Sequence, residues 1–217
     1  MNKYEISTSC QIANLSQVLL DLFGYREGGM FIEVGAHDGY SFSNTWGLAE
    51  AGWEGIYYEP IEELVLQCMV RHAKNAVIVR NIAIGDKNGK TKLYMGWSPT
   101  IDEDTMHRSP WGDTYDPSNY IVVECHTLDW ELNYWNIQPE FDLLVIDVEG
   151  AELLVLAGFS IDKWKPQVVI VETHDRPDPR VSYNAPKINE YFAQHGYVIY
   201  QNDGLNTIYR LNKCVAK

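Results

Sequence analysis

The sequence predicts an α/β fold with a mostly parallel central sheet and an antiparallel hairpin near its C-terminal end. Strand-like apolar runs alternate with segments of helical periodicity along the chain. The run 141–146 is almost continuously apolar, as expected of a central strand that is covered on both faces. Asn202, Asp203 and Gly204 separate two apolar segments and indicate a hairpin turn. We therefore expect one strand of the sheet to run against the others.

Each element is predicted from local signals. Apolar residues at helical spacing indicate helices, which often begin at proline and end at glycine, whereas β-branched and aromatic runs indicate strands. In the first half of the chain these signals predict helices at 6–23, 42–51 and 61–73 and strands at 30–32, 55–58, 76–80 and 91–95. In the second half they predict helices from Thr127, at 149–157 and at 185–195, and strands at 120–124, 141–146, 167–171, 197–200 and 205–211.

Two stretches are less regular. Residues 81–86 and 91–95 flank a turn-forming sequence, so we expect them to pair as a hairpin. Residues 97–118 contain Gly, Pro, Asp and Ser without a clear period, which predicts a long loop. Such a loop is either a functional lid or a disordered surface insertion, and the sequence leaves both open. Trp97 and Trp111 lie in it and are candidates to stack on a sugar ring or on adenine.

Length and composition favour one domain, 1–217, in which residues 1–27 form an N-terminal helical extension. No apolar stretch approaches membrane-spanning length, and the first residues lack the apolar core of a signal peptide. We therefore expect a cytoplasmic protein without a membrane span. The net charge of -13 disfavours nucleic acid as a partner, because its phosphates would be repelled.

The segment from Glu33 to Gly39, together with Glu59, is the main motif. One predicted strand runs into a glycine turn at Gly35, and the next ends at Glu59, 20 residues beyond Gly39. In a parallel sheet this layout places a nucleoside-bearing cofactor at the carboxyl ends of the strands. Dinucleotide sites use G-x-G-x-x-G, because a pyrophosphate sits against bare backbone, whereas the pattern here is E-x-G-x-x-x-G. This pattern favours S-adenosylmethionine, which has no phosphate to hold.

The acids of the motif match the parts of this methyl donor. Glu33 is placed to hold the methionine ammonium group, and Glu59 is placed to accept hydrogen bonds from both ribose hydroxyls. An ordinary strand-turn-helix corner is the alternative interpretation. The predicted donor-binding residues are Glu33, Gly35, Ala36, Gly39, Ser41, Glu59, Pro60, Asn81, Ile82 and Asp147.

A second group of polar residues follows the two central strands. Asp147 follows the run 141–146, while Glu172 and His174 follow the next strand, so all three should reach the same edge of the sheet. Asp147 and Glu172 could hold Mg²⁺ or Mn²⁺ through oxygen ligands. Alternatively, one of the three side chains could accept the proton of an attacking hydroxyl, or they could orient a polar substrate. The sequence leaves these three roles open.

At these motifs the chain resembles the FkbM-type methyltransferases. The matching segments are 31–36 with Gly39 and Tyr40, 58–60, 83–86 with Gly89, 127–129, 144–152 and 166–172. The resemblance implies a class I methyltransferase fold, which is Rossmann-like, with S-adenosylmethionine as donor and usually O-methylation of a hydroxyl. It also implies that Glu33, Gly35, Gly39 and Glu59 lie at the donor and that Asp147 lies near the sulfonium or a metal.

The resulting hypothesis is an O-methyltransferase that acts on a hydroxyl of a sugar or glycan. A divalent cation, or a carboxylate or histidine base, is expected to assist it. An acidic, aromatic-rich site would suit a neutral polyhydroxyl acceptor. The alternatives are an O-methyltransferase of a small natural product, a nucleotide-dependent oxidoreductase and a catalytically silent binding module. The chain could also be one domain of a larger glycan-modifying protein.

Overall fold

The computed structural model describes residues 3–96, 98–108, 116–174 and 184–212, so Trp97 and Trp111 lie outside the described residues. The helices are α1 (Leu15–Phe23), α2 (Trp46–Glu50), α3 (Glu62–Arg71), α4 (Glu103–Arg108), α5 (Leu128–Tyr134), α6 (Glu152–Ala157), α7 (Ile161–Trp164) and α8 (Ala185–Gln194). The strands are β1 (Met30–Val34), β2 (Glu54–Tyr58), β3 (Val77–Arg80), β4 (Ala83–Ile84), β5 (Gly89–Tyr94), β6 (Tyr120–His126), β7 (Leu143–Ile146), β8 (Val168–Glu172), β9 (Tyr197–Asn202) and β10 (Asn206–Leu211). In these parts of the chain, no helix combines the length and apolar character needed to cross a bilayer.

The central sheet of the described chain has seven strands in the order β3-β2-β1-β7-β8-β10-β9. Neighbours from β3 to β8 are parallel, and β10 runs antiparallel to both β8 and β9. The predicted parallel sheet, its single reversed strand and its C-terminal hairpin are confirmed. The strand order changes direction between β1 and β7, and the carboxyl ends of parallel strands at such a point border a crevice.

Alternating side chains on the strands form two apolar layers, one on each face of the sheet. On one face, Phe31 and Tyr57 belong to a cluster with residues of α1 and α2. On the other face, Ile32 and Ile56 belong to a cluster with residues of α6 and α8. Helices therefore cover both faces, and the rim formed by the strand ends is left to build the site.

The segment after β3 differs from the predicted hairpin. Strands β4 and β5 both pair with β6, in parallel and antiparallel orientation respectively, so a small second sheet has the order β4-β6-β5. The predicted hairpin was wrong because the turn signal between β4 and β5 is local. The strand that separates them, β6, comes from much later in the sequence. Gly158, at the end of α6, lets this sheet pack closely, since a Cβ there would lie 2.1 Å from the carbonyl oxygen of Gly85.

Helix α1 begins at Leu15 instead of residue 6. Within the described N-terminal extension, helix is therefore confined to α1, because serine side chains bind backbone groups in the preceding segment. The hydroxyl of Ser7 accepts a hydrogen bond from the N–H of Ser9 at 3.3 Å. The hydroxyl of Ser9 accepts one from the N–H of Phe42 at 3.0 Å, which ties the extension to the loop before α2.

Three further boundaries differ from prediction. Helix α2 begins at Trp46 instead of residue 42, because the residues before it bind the Glu33 carboxylate. Helix α6 begins at Glu152 instead of residue 149, since Glu149 and Gly150 have left-handed backbone. The predicted loop 97–118 contains helix α4.

The close approach of β1 and β7 depends on Gly35. A Cβ at this position would lie 1.7 Å from the carbonyl oxygen of Asp147, and the φ of +87° lies in the left-handed region. We expect Gly35→Ala to lower the melting temperature by roughly 10 °C or more, because the methyl group would force the strand ends apart. Melting followed by circular dichroism measures the effect.

Gly52→Ala is the matched control for this substitution. Gly52 has the same φ of +87°, but no atom lies within 4 Å of the place where its Cβ would be. The control therefore has the same backbone strain but no steric clash of the added Cβ, and it should lose far less stability than Gly35→Ala. Equal losses in the two variants would show that Gly35 matters only for its conformation.

Candidate active site

A cavity of about 820 Å³ opens at the carboxyl ends of β1, β2, β7 and β8. Its lining includes Glu33, Glu59, Asp147, Glu172 and His174, which lie at or just beyond the ends of these strands. These residues are distant in sequence, and the parallel sheet brings them to a common rim. The structure thus gathers the acids of both sequence motifs around one space.

The remaining predicted donor-binding residues form two groups. Those that line the cavity are Gly35, Ser41, Pro60 and Ile82. Those that lie outside its lining are Ala36, Gly39 and Asn81. Asn81 holds the backbone next to the cavity, since its Nδ2 donates to the carbonyl oxygens of Glu59 and Pro60 at 3.1 and 3.0 Å. Gly39 packs on α3, where a Cβ would lie 2.7 Å from the sulfur of Cys68.

Glu33 is buried and is held by the residues that precede α2. Its Oε1 accepts a hydrogen bond from the N–H of Asn44 at 3.1 Å, and its Oε2 accepts from the hydroxyls of Ser43, at 3.0 Å, and Thr45. Burial raises the pKa of Glu33 to about 7, although these hydrogen bonds oppose the shift. A nearby cation would favour the ionised form, so this carboxylate suits a positively charged ligand group.

Glu59 joins the glycine turn to the start of α3. Its Oε2 accepts a hydrogen bond from the N–H of His37 at 3.0 Å, and its Oε1 accepts one from the N–H of Ile61 at 2.9 Å. Burial raises the pKa of Glu59 against these hydrogen bonds. Two carboxylate oxygens have about four acceptor positions, so capacity for ribose hydroxyls is left after these two bonds.

Asp38 fixes the rest of the glycine turn. Its Oδ1 accepts hydrogen bonds from the N–H groups of Tyr40 and Ser41 at 2.9 and 2.6 Å, and its Oδ2 lies 3.2 Å from the guanidinium of Arg71. Burial alone would raise the pKa of Asp38, but the hydrogen bonds and the charge of Arg71 hold it below its ordinary value. His37, in the same turn, lines the cavity.

The ends of β7 and β8 bring Asp147, Glu172 and His174 together. The carboxyl groups of Asp147 and Glu172 lie close together, and Nε2 of His174 lies 3.2 Å from Oε2 of Glu172. Burial removes water from Asp147, and this is the main reason why its pKa lies well above the usual range. The negative charge of Glu172 raises the pKa further. The protonated form of Asp147 is therefore favoured more than it is in an isolated aspartate.

Glu149 adds a third acid to this edge. One ligand atom from each of Glu149, Glu172 and His174 lies within 4.8 Å of the other two. Two carboxylates and one imidazole form a donor set that suits Mn²⁺ better than Mg²⁺. Of the predicted ligand pair, Glu172 belongs to this cluster and Asp147 does not. Glu152 holds the loop in place by accepting a hydrogen bond from the N–H of Gly150 at 2.9 Å.

Four non-glycine residues of the cavity lining have left-handed backbone. His37, Phe42, Glu149 and His174 have φ values of 52, 63, 54 and 47°. Each such non-glycine residue costs about 1–2 kcal/mol, and strain of this kind is typical of ligand-binding loops. The sequence carries no signal for it, because none of these positions is a glycine.

The sequence also missed the wall that the second sheet contributes. Ile84 of β4, Leu93 of β5, and Pro99 and Ile101 of the segment that follows β5 all line the cavity. The only local signal for this wall was the alternation of polar and apolar residues in 91–95. It predicted a strand but not the position of that strand in the fold. Gln11 of the N-terminal extension is a further lining residue that the sequence did not single out.

The sequence matches the family model of the methyltransferase FkbM domain over residues 33–199. The chain belongs to this family. The matched range contains the glycine turn, Glu59 and the whole carboxylate cluster, so the FkbM resemblance seen in the motifs is confirmed. The chain is thus a methyltransferase of the S-adenosylmethionine-dependent class, which leaves the oxidoreductase alternative without support. No curated protein matched the sequence.

Two solved methyltransferase structures are similar to this FkbM protein. The O-methyltransferase from Bacillus cereus in complex with SAH is similar over 97% of this chain and 83% of its own, with a TM-score of 0.51 and 18% identity. The ribosomal protein L11 methylase from Lactobacillus delbrueckii subsp. bulgaricus is similar over 93% and 79%, with a TM-score of 0.49 and 10% identity. At 18% identity, the likeness to the Bacillus cereus O-methyltransferase shows the fold alone, and it confirms the class I methyltransferase fold.

We expect S-adenosylmethionine to bind more tightly as the pH rises through about 7, since Glu33 becomes negatively charged over that interval. The neutral form below about 7 loses its attraction for the ammonium group of the donor. Calorimetric titration should show roughly fivefold tighter binding at about pH 7.5 than at about pH 6. Glu33→Gln should weaken binding and remove this pH dependence.

Glu54→Gln controls for a general effect of removing an acid, because Glu54 is exposed at the start of β2. It should retain both the affinity and the pH dependence of the unmodified protein. An unchanged pH dependence in Glu33→Gln would assign the titration to another group and remove Glu33 from the ammonium site.

Proposed function

We propose that this protein is an S-adenosylmethionine-dependent O-methyltransferase that acts on a hydroxyl of a sugar or glycan. The observation that carries the proposal is the convergence of Glu33, Glu59, Asp147 and Glu172 on one cavity. A donor with ammonium and sulfonium charges complements such a lining electrostatically. Gly35 has no room for a side chain because the carbonyl oxygen of Asp147 occupies that space, and this close contact brings the ends of β1 and β7 to the same rim.

The proposed donor site uses the two acids of the first motif. Glu33 holds the ammonium group, and Glu59 accepts hydrogen bonds from the ribose hydroxyls. Pro60 and Ile82, which line the cavity beside Glu59, supply an apolar flank for adenine. When bound there, the donor supplies a methyl group on a positively charged sulfur. Ala36, Gly39 and Asn81 act indirectly, by holding the loops that contact it.

Asp147, Glu172 and His174 are proposed to manage the acceptor proton. Methyl transfer forms an oxygen–carbon bond and breaks the sulfur–carbon bond, and the hydroxyl proton must leave. A carboxylate of the Asp147 and Glu172 pair can accept it as the general base. The imidazole of His174, 3.2 Å from Glu172, can pass it on. General base catalysis of this kind contributes about 10²–10⁴-fold in rate.

A neutral polyhydroxyl acceptor suits the acidic edge. Carboxylates accept hydrogen bonds from hydroxyls, whereas an anionic acceptor would be repelled. The lining contains Phe42 and Tyr58, but towards the second sheet it is aliphatic instead of aromatic-rich. This observation favours a hydroxyl of a small natural product as the second candidate acceptor.

A transfer assay with labelled S-adenosylmethionine and a panel of sugars, glycans and hydroxylated natural products tests this function. We expect label on a hydroxyl of the accepted compound. Asp147→Asn should reduce the transfer rate by about 100-fold or more, while the melting temperature is retained. Asp162→Asn is the control, because the side chain of Asp162 on α7 is 74% exposed. Transfer to nitrogen alone, or a near-normal rate in Asp147→Asn, would contradict the assignment.

We also propose that a divalent cation assists the reaction. Glu149, Glu172 and His174 would hold it, as the spacing of their ligand atoms permits. A cation at this position would lower the pKa of the acceptor hydroxyl. Glu172 and His174 would then act as ligands instead of proton carriers, so the two proposals are alternatives and are tested separately.

Removal of metal with a chelator tests the cation. We expect transfer to fall and to recover with Mn²⁺ more readily than with Mg²⁺, and Mn²⁺ alone should raise the melting temperature. Glu149→Gln should abolish this stabilisation, whereas Glu50→Gln, an exposed acid on α2, should preserve it. Unchanged transfer and unchanged melting after chelation would rule the cation out.

A further inference from the structure

The cavity has an aliphatic wall outside the residues proposed for the donor. It consists of Ile84, Leu93, Pro99 and Ile101. The loop after β5 folds back to complete it, because Tyr94 and Thr100 exchange backbone hydrogen bonds of 2.9 and 3.2 Å. Ile101 packs against Gly85, since a Cβ added to Gly85 would lie 3.0 Å from Cδ1 of Ile101. The wall is therefore a built part of the fold.

This wall is fixed beside the carboxylate cluster. The hydroxyl of Thr105, one turn beyond Ile101, lies 3.2 Å from the carbonyl oxygen of Gly150. The contact is tight, since a Cβ on Gly150 would lie 2.4 Å from Cγ2 of Thr105. Gly150 follows Glu149 in the loop after β7, so the aliphatic wall and the proposed base border the same part of the cavity.

The cavity is large. The volume of about 820 Å³ lies near the upper end of the roughly 300–1,000 Å³ typical of sites for one drug-sized ligand. The groups proposed for ribose and adenine, Glu59, Pro60 and Ile82, lie at the ends of β2 and β3. The wall from Ile84 to Ile101 therefore extends the cavity beyond them, and its apolar surface would gain free energy from an apolar ligand group.

We propose that the acceptor is a neutral amphiphile, in which a hydroxylated head is joined to an aliphatic group. The head faces Asp147, Glu149 and Glu172, and the aliphatic group packs against Leu93, Pro99 and Ile101. The acidic rim excludes a phosphate or carboxylate beside the reacting hydroxyl. This inference rests on the proposed function, and it narrows the acceptor from free sugars to glycosides or natural products with an apolar part.

Binding of methyl and octyl glucoside to the protein saturated with S-adenosylhomocysteine tests the inference, with octyl glucoside kept below its micelle-forming concentration. We expect octyl glucoside to bind roughly tenfold tighter or more, because methylene groups are buried on the wall. Ile101→Ser should reduce this preference to about threefold or less. Ile121→Ser is the matched control, since Ile121 is 42% exposed on β6. Ile101→Phe, which fills the space without adding a polar group, should also reduce the preference if the serine variant folds poorly.

Affinity for S-adenosylhomocysteine, measured in every variant, separates the possible failures. Normal affinity with equal binding of the two glucosides would overturn the amphiphile while leaving the methyltransferase function intact. A selective loss of S-adenosylhomocysteine affinity in Ile101→Ser would assign the wall to the donor and overturn the inference. No binding of S-adenosylhomocysteine to the unmodified protein would remove the proposed function and this inference with it.

Discussion

The contact between Gly35 and the backbone of Asp147 determines how the two halves of the site meet. Strand β1 carries Glu33 towards the proposed donor position, and β7 leads to Asp147 and the carboxylate cluster. The N–H of Asp147 donates to the carbonyl oxygen of Val34 at 2.9 Å, so the pairing of the two strands continues to the edge of the cavity. Because Gly35 has no side chain, the donor and acceptor sides can share one rim.

The same rim is unusual in its electrostatics. Glu33, Glu59 and Asp147 all have a pKa raised by burial, which means that their ionised forms are disfavoured in the protein alone. A cationic ligand would favour ionisation of these groups, and each would then contribute to its binding. The arrangement therefore disfavours charge in the free protein and favours it when a cation binds. Left-handed backbone at His37, Glu149 and His174 adds conformational strain to the same loops.

Much of this could be predicted from the sequence, because the apolar strands end where polar residues begin. That rule located Glu59, Asp147 and Glu172, and the parallel topology brought them together. Local sequence patterns do not predict contacts between residues that are distant in sequence. The insertion of β6 between β4 and β5 has no local signal, so the aliphatic wall was missed. The sequence pattern also predicted too early a start for α2. The hydroxyls of Ser43 and Thr45 donate hydrogen bonds to the carboxylate of Glu33, so these residues stay outside the helix.

A crystal structure of the protein with S-adenosylhomocysteine would test the central assignment most directly. We expect the ribose hydroxyls within hydrogen-bonding distance of Glu59 and the amino group at Glu33, directly or through one water. The sulfur should face the Asp147 edge, with the aliphatic wall still accessible. A ligand bound outside this cavity, or one whose ribose lies away from Glu59, would contradict the placement of the donor and the mechanism built on it.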